Sequence, residues 1–281
     1  MDLRNQIGGM SPRELVEARL EVHHAAQLVS IAVGRALVPA RDDDSHTALT
    51  WLDVPRQWVG EKVPGTGGVR AGLRPADLVL TVGGRDDPAG QQLELPGRRR
   101  DEALDWLRSQ LAVHGVDPQA VVLDFHFEMP PHPIEDGAPW NTGLAAARAE
   151  LARYYAAAAA LLAEVALDND ASPILTWPHH FDIGALLAHG DDGTRSLGVG
   201  LSPGDGYYAE PYFYVSPYPR PSDSPPSLPP PTLPGGHWHD EERFFGAVLT
   251  ATELVASGDP ESAARAFLGE AIAASRRLLD G

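Results

Sequence analysis

The chain has 281 residues, of which 43% are hydrophobic, enough for a substantial core without metal or disulfide staples. Its 22 basic and 39 acidic residues leave a formal charge of −17, a field that repels nucleic-acid phosphates and anionic lipid surfaces. With no cysteine there is no disulfide framework, no thiolate nucleophile and no Cys-ligated zinc.

The first twenty residues contain no uninterrupted apolar core, and the longest apolar run, 156–163, is too short and too Ala-rich to span a bilayer. A cytoplasmic protein with no membrane or nucleic-acid partner is expected. Ser11-Pro12-Arg13-Glu14 places a capping hydroxyl, a preset φ and a reciprocal carboxylate where a helix starts. Leu15, Val22, Ala26, Val29, Val33 and Leu37 then recur at helical spacing until Pro39. After Asp42-Asp43-Asp44 the texture changes, and Thr47 to Val54, Asp77 to Val82 and Gln91 to Leu95 read as short strands between Gly/Pro turns. Helical period returns at Leu104, Leu107 and Leu111 and stops at Gly115, after which Ala120 to Glu128 alternates as a strand would.

The same order follows again. A long helix from Leu144 to Leu167 precedes Asp168-Asn169-Asp170, and strand-like segments run from Ile174 to Trp177, Ser196 to Leu201 and Tyr207 to Val215. Leu49-Thr50-Trp51 and Leu175-Thr176-Trp177 are 126 residues apart, the offset of the two acidic triplets. Gly72-Leu73-Arg74-Pro75-Ala76-Asp77 answers Gly200-Leu201-Ser202-Pro203-Gly204-Asp205 at an offset of 128. Asp101-Glu102 and Asp240-Glu241 each open an expected amphipathic helix, and each helix is followed by Asp-Pro. Repetition of one element order with small insertions is the mark of a duplicated domain.

The expected fold is therefore α+β and internally duplicated, each half an antiparallel sheet with long helices on one face, related by a pseudo-two-fold. Residues 11–116 form the first repeat and 117–281 the second, together one compact unit. The second carries a Pro-rich insertion, 217–236, read as a surface connector, and an extra helix from Asp259-Pro260 to Leu279.

Trp177-Pro178-His179-His180-Phe181-Asp182, Gly204-Asp205-Gly206, Glu210-Pro211-Tyr212-Phe213-Tyr214-Val215 and Trp238-His239 resemble the signature of a bacterial domain-of-unknown-function family. The resemblance implies a full-length duplicated fold, with an N-terminal helix carrying a His and a Gln near His24 and Gln27. It brings no known activity.

Function has to be read from side chains. If 177–182 is extended, His180 and Asp182 share a face, and Tyr208, Glu210, Tyr212 and Tyr214 share one on the later strand. Imidazole with carboxylates suits divalent-metal binding or acid–base work, and tyrosine hydroxyls can orient a small-molecule substrate. The expected pocket joins His180, Asp182, Glu210, Tyr212 and Tyr214, walled by Trp177, with a divalent metal as its candidate cofactor on His180, Asp182, Glu210 and His239. The opposing reading makes these half-buried strand residues with satisfied hydrogen bonds. His237-Trp238-His239 could chelate a metal, but the acids after it read as a helix start, which places both histidines in a turn. Asp124, His126 and Glu128 share a face of the strand expected there, more suited to solvent or internal pairing than to a ligand. No phosphate-binding Gly loop, G-x-S-x-G elbow or H-E-x-x-H segment is present. Three classes remain: a small-molecule or metal-binding protein with or without catalysis, a protein-interaction or structural module, and, against the charge, a nucleic-acid saddle.

Overall fold

A computed structural model describes residues 7–84, 90–190, 193–221 and 232–280. Residues 222–231, the middle of the Pro-rich insertion, lie outside the described residues. The fold is α+β with two antiparallel sheets and five α-helices. Two compact units divide the chain, an N-terminal unit of Glu14–Ala152 with Leu175–Phe181 and a C-terminal unit of Met1–Arg13, Arg153–Ile174 and Asp182–Gly281. Residues 117–152 belong to the N-terminal unit.

In the N-terminal unit the apolar stripe forms helix α1 (Val16–Val29), which continues as a π-helical segment, Ser30–Arg35. Leu15, Ala18, Val22, Ala25 and Val29 are fully or almost fully buried along it. The sheet is a meander, β1 (Thr50–Leu52), β2 (Gln57–Val59), β3 (Arg70–Arg74), β4 (Val79–Gly83) and β5 (Gln91–Glu94), in that order. In one cross-strand row Trp58, Leu73 and Leu80 supply core and Leu93 is half-buried, whereas the row on the opposite face is Val59, Gly72, Thr81 and Gln92. Helix α1 packs on β3, and helix α2 (Arg100–Ala112) packs on β4 and β5 through Ala103, Leu107 and Leu111. Helix α3 (Ala145–Leu167) is divided between the two units. Strand β6 (Leu175–Thr176) bonds back to the start of β1, with Leu49 N–H on Thr176 O at 2.9 Å and Thr176 N–H on Leu49 O at 2.8 Å.

In the C-terminal unit the strands are β7 (Ile183–His189), β8 (Arg195–Ser202), β9 (Tyr212–Tyr218), β10 (His237–Glu241) and β11 (Phe244–Thr250). They run in the order β10-β11-β9-β8-β7, all antiparallel. Helix α4 (Ala251–Ala256) follows, and helix α5 (Pro260–Asp280) lies against β8, β9 and β11. The apolar face, with Ile183, Leu187, Leu197, Val199, Leu201, Phe213, Val215, Ala247 and Leu249, is buried. The other face is polar and aromatic.

Three sequence expectations are corrected. Residues 120–128 form no strand beyond a 3-10 turn at Pro118–Ala120, since no neighbouring strand completes a ladder there and side chains bond the backbone instead. Arg108 donates to Val121 O and Arg35 to Asp124 O. Residues 240–249 form the β10–β11 hairpin rather than a helix. The segment 177–182 is a tight turn, closed by Phe181 N–H on Trp177 O at 2.7 Å with φ +58° at Phe181, so strand alternation does not put His180 and Asp182 on one face.

Glycine in the polar face is required by close approach. A Cβ on Gly200 would lie 2.5 Å from Ile183 O and 2.6 Å from the Tyr214 hydroxyl, and one on Gly184 would lie 2.8 Å from that hydroxyl. The Tyr214 ring therefore lies across the two glycines. Gly200→Ala is expected to destabilise the protein by about 1–3 kcal/mol through forced backbone shift, read as a lower urea midpoint.

Candidate functional site

The polar face of the C-terminal sheet collects Asp182 beside β7, Ser202 on β8, Tyr212 and Tyr214 on β9, and His237 and His239 on β10. Strand alternation places them there, because each pairs through rows that share a face. The β8–β9 connection adds Asp205, Tyr207 and Tyr208, with Asp205 accepting backbone bonds from Tyr207 and Tyr208 at 2.8 and 3.1 Å.

Three hydroxyl-centred groups lie side by side. Tyr214 donates to Asp182 Oδ2 at 2.5 Å, and Tyr212 to Asp205 Oδ2 at 2.6 Å. The Tyr208 oxygen is 2.8 Å from His237 Nε2 and 2.8 Å from His239 Nδ1. Rings tie the groups together: Tyr208 and Tyr212 centroids are 4.9 Å apart, Tyr207 and His239 4.9 Å, and His239 and Phe244 5.0 Å. Tyr212 and His239 are buried, Tyr208 and Tyr214 are half-buried, and Tyr207 and His237 are exposed, so the cluster opens to solvent at one side.

Removal from water, then the Asp205 carboxylate, raises the Tyr208 and Tyr212 hydroxyls above the usual phenol range; burial, then Asp182, does the same for Tyr214. All three stay protonated at neutral pH and act as neutral donors. Tyr208 has one proton for two imidazole neighbours, so it donates to one ring nitrogen and accepts from the other. The relay has a carboxylate near each end, with His239 Nε2 3.7 Å from Glu241 Oε1 and His237 Nδ1 3.9 Å from Glu253 Oε1. The Nε2 atom of His239 is buried and has no hydrogen-bond partner among the described residues.

The other expected site residues fall elsewhere. Glu210 Oε2 accepts from Thr252 N–H at 2.7 Å and Thr252 Oγ1 at 2.5 Å, which fixes the first turn of α4, and Arg13 lies 4.0 Å from its other oxygen. Tyr208 and Glu210 precede β9 rather than belonging to it. Trp177 and His180 belong to the N-terminal unit, where His180 is exposed with its ring 4.4 Å from that of His179. The structure thus unites Asp182, Tyr212, Tyr214 and His239 on one face and gives Glu210 a capping role. Tyr208 lies with Tyr212 and Tyr214 as alternation implies, His237 and His239 lie on strand β10 rather than in the turn expected of them, and Asp205 joins the site without a sequence signal of its own.

A second polar cluster lies in the N-terminal unit. Ligand atoms of Glu17, Glu21 and His132 lie within 4.8 Å of one another, a spacing that could hold a metal. Glu21 already has both oxygens engaged, by Asn141 N–H at 2.7 Å and Arg148 at 3.2 Å. Burial raises the Glu21 carboxyl above its usual range, with the Asn141 N–H and the Arg148 cation opposing the rise. The guanidinium therefore occupies the place of a cation.

Comparison with protein-family models, curated proteins and solved structures finds no match.

Proposed function

We propose that the chain is a small-molecule-binding protein with acid–base capability, and that its site is the tyrosine–histidine face of the C-terminal sheet. One observation carries this reading: a phenol hydroxyl at 2.8 Å from two imidazole nitrogens, with the far nitrogen of His239 buried and unbonded. Such a His–Tyr–His row can move a proton from one ring to the other without moving a heavy atom, which suits general acid–base work on a ligand at its open end. Tyr212 and Tyr214, each held by a carboxylate, keep their rings in fixed positions for a ligand carrying hydroxyl or carbonyl groups.

A divalent metal is the second reading, because the two imidazole nitrogens converge on one point now held by the Tyr208 oxygen. Elemental analysis of untagged protein, with zinc titration of wild type and His237→Ala, separates the two. A stoichiometric metal lost in His237→Ala favours chelation, whereas a metal-free protein whose ligand response disappears in Tyr208→Phe favours the relay.

We also infer internal duplication. The Leu49-Thr50-Trp51 and Leu175-Thr176-Trp177 segments hydrogen-bond to each other, and both sheets place a glycine opposite a hydroxyl side chain, Gly72 opposite Thr81 and Gly200 opposite Tyr214. On this inference Gln57 answers Asp182, and the C-terminal copy acquired the tyrosine–carboxylate pairs after duplication.

A further inference from the structure

The polar face of the N-terminal sheet contains a cavity of about 430 Å³ over Gly72 and Gly83, within the range that holds a small organic molecule. Its shape follows from one residue. In the C-terminal sheet the space above Gly200 is filled by the Tyr214 ring, whereas the residue opposite Gly72 is Thr81, whose hydroxyl would lie 2.8 Å from a Cβ there and extends no further. The volume a tyrosine would fill is left open.

Two buried polar side chains line the cavity. They are Gln57 and Thr81, each 5% exposed. Their amide and hydroxyl are groups that can donate to a ligand in the cavity. Two cations complete the lining, the half-buried Arg70 and the exposed Lys62, and neither has an ion pair among the described residues. Arg35, Arg41, Arg74, Arg108, Arg195, Arg220 and Arg265, by contrast, each have an acidic partner. Val54 and Pro55 form an apolar wall.

We propose that this cavity binds a small carboxylic acid with an apolar body. The carboxylate meets the Arg70 fork, with Lys62 adding charge at the rim, Gln57 and Thr81 donate to it from the floor, and the tail covers Val54 and Pro55. The site is separate from the tyrosine–histidine face and does not depend on it.

Calorimetric titration at low salt with hexanoate, hexanamide and inorganic phosphate tests the assignment. Hexanoate is expected to bind, with hexanamide and phosphate each weaker by roughly tenfold or more, because each lacks one half of the recognition. Arg70→Gln, a change at a half-buried position that leaves the core intact, is expected to weaken hexanoate by roughly tenfold. Thr81→Tyr should abolish binding by filling the cavity, and Thr81→Val, which keeps the fold by isostery, should weaken it by a few-fold. Hexanoate affinity unchanged in both Arg70→Gln and Thr81→Val would overturn the proposal. So would hexanamide or phosphate binding as tightly as hexanoate, or no hexanoate binding detected up to about 10 mM.

Discussion

Acidification to pH 4.5 is expected to cost the wild-type protein about 2–3 kcal/mol that a His23→Phe variant retains. His23 is 5% exposed on α1, its Nε2–H donates to Pro178 O at 2.7 Å, and its ring stacks on Phe181 at 4.6 Å and 2°. Burial is the main reason its pKa falls from 6.5 to about 3; the Pro178 carbonyl opposes the fall, and His24, Arg19 and His179 add to it. The sign follows from which state takes up the proton. Below pH 6.5 the unfolded chain protonates this imidazole while the folded protein cannot, so stability rises with pH across the window from about 3 to 6.5. At the bottom of that window the full difference is about 4–5 kcal/mol. Phenylalanine keeps the stack and leaves the Pro178 carbonyl bonded to Gln27 Nε2 at 3.0 Å. Urea midpoints of both proteins at pH 7 and 4.5 check this, and parallel pH slopes would show that His23 is not the acid-sensitive group.

The Glu21–Arg148 pair should give an effect of similar size. Both side chains are 2% exposed and 3.2 Å apart, and Trp140 Nε1–H donates to Glu21 O at 3.3 Å beside them. Arg148→Met leaves a carboxylate in the core without its guanidinium partner, a loss of about 3–5 kcal/mol at pH 7. Glu21 already has a raised pKa, so its folded form binds a proton more readily than the unfolded chain does. Stability tied to it is present at low pH and lost as pH rises through the folded pKa. Removing Arg148 raises that pKa further, so the cost of Arg148→Met should shrink as the pH falls. Adding Glu21→Gln should restore most of the loss at pH 7, since glutamine still accepts from Asn141. A cost independent of pH, or no recovery in the double variant, would place the effect in packing rather than charge.

Helices were legible because periodicity and capping act locally. The α1 stripe, the Leu104–Leu107–Leu111 spacing and Asp259-Pro260 each located a helix to within a few residues. Strands depend on partners that sequence does not display. Asp124, His126 and Glu128 alternate as well as any strand residues, yet no strand among the described residues pairs with them. The Phe244, Phe245, Val248 and Leu249 spacing fits a helix and a hairpin equally, and the register with β9 and β10 decided for the hairpin. The candidate site suffered in the same way. Tyr212 and Tyr214 share a face as alternation requires, but the left-handed backbone at Phe181 turned His180 out of line with Asp182. Glu210 was misleading because its carboxylate serves the start of α4, which no capping pattern before Ala251 marks as a site for a distant acid.

The proposed function is tested most directly by a thermal-shift screen of polar small molecules, with each response measured again on Tyr208→Phe and on Thr81→Val. A ligand at 100 times its dissociation constant adds about 2.7 kcal/mol, or a rise of roughly 5 °C or more for a chain of this size. The tyrosine–histidine face predicts at least one compound whose shift is lost in Tyr208→Phe and kept in Thr81→Val, with both variants folded. A screen in which every shift persists undiminished in Tyr208→Phe, or in which wild type responds to nothing, would contradict it.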